Sequence, residues 1–159
     1  MRLLFLTICI GLTSAPLLAQ HDKHAAHQKD SAFRALQERG KRVMGVDQYT
    51  SAHIFESLSD GGRIALTRDV DDTLGVRVIR EHLRDVARRF GVGDFSLSEA
   101  VHANQDIPGV TVLRATRAIR YEYRDLPRGG EVRLTSRDRG AIRAIHEFLQ
   151  FQRSDHRSR

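Results

Sequence analysis

Ile119, Tyr121 and Tyr123 alternate with Arg120, Glu122 and Arg124. That period of two predicts a strand with one buried and one solvated face. Pro127-Arg128-Gly129-Gly130 then reads as a tight turn, with glycines available for positive φ. Val132 and Leu134 continue the inward face on the returning strand. The period changes after that. Ile142, Ile145 and Leu149 recur at helical spacing, and Asp138 stands where an N-cap would accept hydrogen bonds from the first turn. This helix is expected to fray after Gln152, in the charged end of the chain.

The same succession occurs earlier. Tyr49 to Leu58 predicts a strand, Asp60-Gly61-Gly62 a tight turn, and Ile64 and Leu66 the inward face of a return strand. Asp72 is positioned as an N-cap. Ile79, Leu83, Val86 and Phe90 then follow at helical spacing, up to a stop at Gly91. The likeness extends to the letters. Leu58-Ser59-Asp60-Gly61-Gly62-Arg63-Ile64-Ala65-Leu66-Thr67 is echoed by Leu126-Pro127-Arg128-Gly129-Gly130-Glu131-Val132-Arg133-Leu134-Thr135. Arg77, Ile79, Glu81 and Leu83 match Arg143, Ile145, Glu147 and Leu149 after a short gap. The fold class that follows is α+β: two pseudo-repeated β-hairpin–helix units forming a four-stranded antiparallel sheet with helices on one face. A further helix is expected over Asp30 to Met44. Between the units, residues 92–116 form an insertion. Ser96 with Glu99 resembles a capping box there, Ile107-Pro108-Gly109 reads as a turn, and Val110 to Ala115 is open between helix and strand.

The first residues do not follow this pattern. Arg2, the apolar run Leu3 to Leu12 and Leu17-Leu18-Ala19 have the form of a secretory signal peptide cleaved after Ala19. The apolar run is shorter than the ~20 residues of a membrane-spanning helix. The expected organisation is a signal peptide over 1–19, a disordered His-rich tail over 20–32, a single α+β domain over 33–154 and a disordered basic tail over 155–159. The expected location is the periplasm or the exterior, with no stable membrane span once the signal is removed. Cys9 is the one cysteine, so a mature chain has none, and neither disulfides nor thiol catalysis are expected.

Lysine and arginine exceed acidic residues by 26 to 20, a formal net charge of +6. In an exported protein this favours an anionic envelope component, such as lipid head groups or polysaccharide, as a partner rather than nucleic acid. A non-catalytic interaction module using that basic surface is one functional reading.

Histidine supplies the other. His21, His24 and His27 recur every third residue in the tail, and imidazole suits Cu, Zn or Ni. Matching the two units places His53 and Phe55 opposite Tyr121 and Tyr123, and His82 opposite Phe148. His53 and His82 are therefore expected to face the core, with His102 on the insertion above them and His146 as a fourth member. Three convergent imidazoles with an open position would suit a transition metal. The favoured reading is a small binding protein with such a metal as ligand; a His-centred metalloenzyme is the third. No Gly-x-Ser-x-Gly elbow or P-loop is present.

Met44-Gly45-Val46-Asp47-Gln48, Ile79-Arg80-Glu81-His82-Leu83, Gly93-Asp94-Phe95 and Ile145-His146-Glu147-Phe148-Leu149-Gln150-Phe151-Gln152 with Asp155-His156 together resemble a family of short exported bacterial proteins of unestablished function. The resemblance covers nearly all the chain after the His-rich tail and implies a self-standing family, with no active site to carry over. Some similar sequences bear an aspartate carbamoyltransferase label. That activity is not expected: the Ser-Thr-Arg-Thr phosphate loop is absent and the chain is too short for that enzyme's two α/β domains.

Overall fold

The computed structural model describes residues 17–45, 50–103 and 106–158, with side chains from residue 30 onward. Apart from residues 17–19, the expected signal peptide lies outside the described residues. The chain divides into two units, Met1–Ala32 and Phe33–Arg159, and the second holds the sheet. Nine elements follow one another: α1 (Leu17–Met44), β1 (Ser51–Leu58), β2 (Gly61–Arg68), α2 (Thr73–Gly91), α3 (Ser96–Val101), α4 (Val110–Ala115), β3 (Ile119–Leu126), β4 (Gly129–Ser136) and α5 (Arg139–Asp155). Among the described residues no helix is long and apolar enough to cross a membrane.

The α+β architecture is as expected, a single four-stranded antiparallel sheet in the order β1-β2-β4-β3. The hairpins meet through their return strands, so Ile64 lies opposite Val132 at the middle of the sheet. Phe55, Ile64, Leu66, Val132 and Leu134 are buried on the helix side. The other face carries the intervening charges, with Arg63 paired to Glu56 (2.5 Å) and Glu131 (3.4 Å). Both N-caps hold: Asp72 accepts from the Gly75 N–H and Asp138 from the Ala141 N–H.

Each helix packs chiefly on the hairpin of the other unit, α2 on β3 and β4 and α5 on β1 and β2. A matched pair of side chains fastens this exchange. Arg80 on α2 donates from Nε to the Gly129 carbonyl (2.9 Å) and from Nη2 to the Leu126 carbonyl (2.8 Å). At the equivalent place on α5, His146 donates from Nε2 to the carbonyls of Leu58 (2.9 Å) and Gly61 (3.0 Å). These are the corresponding residues of the two hairpin ends.

The structure corrects several boundaries. The turns are Ser59-Asp60 and Pro127-Arg128, and the glycines assigned to them open the return strands instead. There they permit close approach of β2 to β4. A Cβ on Gly61, at φ +141°, would stand 2.1 Å from the Leu134 carbonyl oxygen, and one on Gly129 would stand 1.9 Å from that of Leu66. α1 starts at Leu17 rather than Asp30, so its helical backbone takes in the segment expected as a disordered tail. Between Pro16 and Gly40 no proline or glycine interrupts it. α5 does not fray after Gln152 but runs to Asp155, because Gln152 and His156 are buried against the fold. In the insertion, Val110–Ala115 is a helix, and Asp94 rather than Ser96 accepts at the start of α3, from the Ser96 N–H (2.9 Å).

The seam yields a paired prediction. Gly129→Ala puts a methyl group into the Leu66 carbonyl and should cost about 3 kcal/mol in chemical denaturation. Gly91→Ala, where a Cβ meets nothing within 4 Å, should raise stability by roughly 0.5 kcal/mol. Equal effects at the two sites would remove the argument for close approach.

Candidate functional site: a histidine-lined cavity

Four histidines from four parts of the second unit line one cavity of about 60 Å³. His53 comes from the inner face of β1, His82 from α2, His102 from the end of α3 and His156 from the end of α5. Val43 and Met44 of α1, Leu83, Val86 and Phe148 supply apolar wall. His53, His102 and His156 are buried, and His102 is only 1% exposed.

His156 packs at the centre of the other rings. Its centroid lies 5.8 Å from His53 in a stacked arrangement, 5.2 Å from His102 edge-on and 5.5 Å from Phe55. Two of the counterpart aromatic rings, Phe90 and Phe148, also line this cavity. Phe90 lies 5.9 Å from Tyr121 and 5.8 Å from Phe148. Phe90 stands as far beyond Ile79 as His156 stands beyond Ile145, so His156 takes the place of Phe90. Three aromatic positions, at Tyr121, Phe148 and Phe90, are thus matched by His53, His82 and His156. The first two matches were legible. The third was missed because residues 155–159 were assigned to a disordered basic tail; extending the match by one more helical turn would have found it.

Burial keeps three of these rings uncharged. It lowers His53 to about 4, helped by the charge His82 would carry. It lowers His82 to about 4, against a smaller upward pull from Asp85. It lowers His156 to about 3, reinforced by repulsion from His53 and His102. A neutral imidazole offers one N–H donor and one lone pair. His53 Nε2 is 3.2 Å from Ser51 Oγ. Both ring nitrogens of His102 are engaged, Nδ1 at 2.6 Å from Asp155 Oδ2 and Nε2 at 3.0 Å from Gln152 Oε1. The Asp155–His102 arrangement orients an imidazole as in a general base, yet the nitrogen that would face a substrate is turned onto Gln152.

Of the four histidines expected to converge, three share one lining. His53, His82 and His102 do line one cavity. His146 does not join them, because its Nε2 is committed to the hairpin carbonyls, as Arg80 is in the other unit. Among the described residues no three His, Cys, Asp or Glu side chains are grouped so as to hold a metal ion. His102 illustrates the reason: both its ring nitrogens are already engaged. His21, His24 and His27 fall in α1, and their side chains lie outside the described residues.

A second concavity of about 550 Å³ lies on the outer side of the same histidines, lined by Phe33, Gln37, Ser51, Asp69 and Arg157. Among the described residues only His53 and His156 border both spaces. No family model, curated protein or solved structure matches the chain.

Neutral buried histidines make stability depend on pH. The unfolded chain binds protons near pH 6.5, whereas the folded cluster does not until about pH 4 or 3. Stability should therefore be constant above about pH 7 and fall as pH drops from 6.5 toward 4. The slope reaches up to ~1.4 kcal/mol per pH unit for each ring. Urea denaturation at pH 7.5 and 5 checks this, above the range where most carboxylates titrate. A variant carrying His53→Tyr, His82→Phe and His156→Phe should lose the dependence. A flat wild-type profile would show that the rings are not held neutral.

Proposed function

We propose that the protein is a small, non-catalytic binding protein whose ligand occupies the histidine-lined cavity and is uncharged. The observation that carries this reading is the replacement of three aromatic rings of one set, Tyr121, Phe148 and Phe90, by imidazoles at the matching positions His53, His82 and His156, all three of which line a cavity. Filling the interior with Phe rings is the better way to stabilise a domain, since each adds apolar burial without a polar group to satisfy. Imidazoles there cost stability in acid and leave room, which is intelligible if the space receives something. The neutral rings favour an uncharged ligand, because a charged one would lose its hydration without an opposite charge to replace it.

A bound transition metal is the weaker form of this reading, given the commitments of His102 and His146. The basic-surface reading is also weaker, since Arg84, Arg89, Arg114 and Arg133 each contact a carboxylate. With the signal peptide expected from the first residues, the ligand would be met in the periplasm or outside the cell.

Xenon is a suitable probe, because it enters small, largely apolar cavities. Xenon-129 NMR of tag-free protein at pH 7.5 should show saturable binding. His82→Phe, which installs the residue found at the equivalent position 148, should abolish that binding while keeping the fold. Absence of xenon binding to the wild type would overturn the cavity reading. Stoichiometric retention of Cu, Zn or Ni by a variant with His21, His24 and His27 changed to Gln would restore the metal as ligand.

A further inference from the structure

The two spaces on either side of the stacked His53–His156 pair carry unpartnered polar groups of one kind. Gln37, on α1 and 5% exposed, has neither Oε1 nor Nε2 hydrogen-bonded, and it lines the outer groove. Gln152, on α5 and 4% exposed, has its Nε2 without a partner and lines the inner cavity. Leaving a buried polar group unsatisfied is costly, so two such glutamines, one on each of two spaces that share His53 and His156 as lining, call for a polar occupant.

The size of the cavity bounds that occupant. Its volume of about 60 Å³, at roughly 10–15 Å³ for each water-sized centre, holds about four to six non-hydrogen atoms. The lining sets the chemistry. Gln152 Nε2 requires an acceptor. His53 and His82 are neutral and offer lone pairs to an N–H. In the outer groove, Gln37 presents a donor and an acceptor side by side, the pattern that another primary amide matches with two parallel hydrogen bonds. Inside the cavity a cation would face the Gln152 N–H groups, and a carboxylate would be stripped of water with no arginine or lysine in the lining to meet it.

We propose that the groove and the cavity form one two-compartment site for a short primary amide, met by Gln37 outside and held between Gln152 and His82 inside, with His156 as the movable partition. The proposal rests on the cavity reading above and names its ligand class. His156 is suited to moving. It caps the last helix, and the next residue, Arg157, adopts φ +49°, a left-handed conformation that is strained for a residue other than glycine. The Arg157 guanidinium lies 4.2 Å from the centroid of the Phe33 ring and latches that turn to α1.

Acetamide is the probe, with acetone as the same skeleton lacking N–H groups and acetate as its charged counterpart. Titrated into ¹⁵N-labelled full-length protein at pH 7.5, acetamide should produce saturable shifts at the Gln152 side-chain amide and the His82 ring. Acetone and acetate should bind at least tenfold more weakly. Gln152→Met, which keeps length and removes both polar atoms, should weaken acetamide at least tenfold. Arg157→Ala should speed acetamide exchange without a comparable change in affinity. Should Gln152→Met fail to fold, the wild-type comparison of acetamide with acetone decides alone. Equal binding of the two, or no saturable shift with acetamide, overturns the amide proposal. If xenon still enters, the cavity reading survives that failure; if neither probe binds, both fall.

Discussion

The close approach of β2 to β4 is the constraint on which the rest of the domain depends. Two hairpins joined at their return strands make one sheet only if the backbones can meet, and Gly61 and Gly129 remove the side chains that would strike the facing carbonyls of Leu134 and Leu66. Once the seam is formed, each helix lies across the hairpin of the other unit, with Arg80 and His146 tying each helix to the end of the hairpin it covers. Neither unit then has a core of its own. Ile64 and Val132, facing each other at the centre, are buried by elements drawn from both halves.

That exchange also explains why the two halves of the domain are comparable. The end of α2 meets β3, and the end of α5 meets β1. Phe90 therefore packs edge-on against Tyr121, and His156, at the matching position, stacks on His53. The aromatic set, joined by Phe95 stacked on Phe90 at 4.2 Å, fills its part of the space under the sheet. The imidazoles border a cavity that Phe90 and Phe148 also line, with His102 contributed by the insertion. Neutral imidazoles in such a place weaken the fold in acid, a cost that the aromatic set does not carry.

Much of the fold was legible because its periodicities are clean. The alternation through Ile119, Tyr121 and Tyr123 identified an inward face, and Asp72 and Asp138 marked helix starts that the structure shows as side-chain caps. The glycine pairs were legible as special positions but not for the right reason. A Gly-Gly step beside a turn reads as turn chemistry, and only the facing strand reveals that the carbonyl opposite is what excludes a side chain. The ends of α1 and α5 were misjudged for a related reason. Charged and polar composition suggests solvated tails, yet His156 and Gln152 are buried by partners distant in sequence.

The amino-acid order by itself determined the element types, the inward faces of the strands and the asymmetry of His53 and His82 against Tyr121 and Phe148, because these follow from local spacing and from comparison of two similar segments. The tertiary structure alone decided which histidines meet. His146 looked equivalent to the others in sequence, and the packing of α5 on the first hairpin turned it to the carbonyls of Leu58 and Gly61. His156 looked like part of a basic tail, and the same packing carried it into the cavity beside His53. Convergence of side chains depends on which helix crosses which hairpin, and that is settled by burial across the whole sheet rather than by any local run of residues.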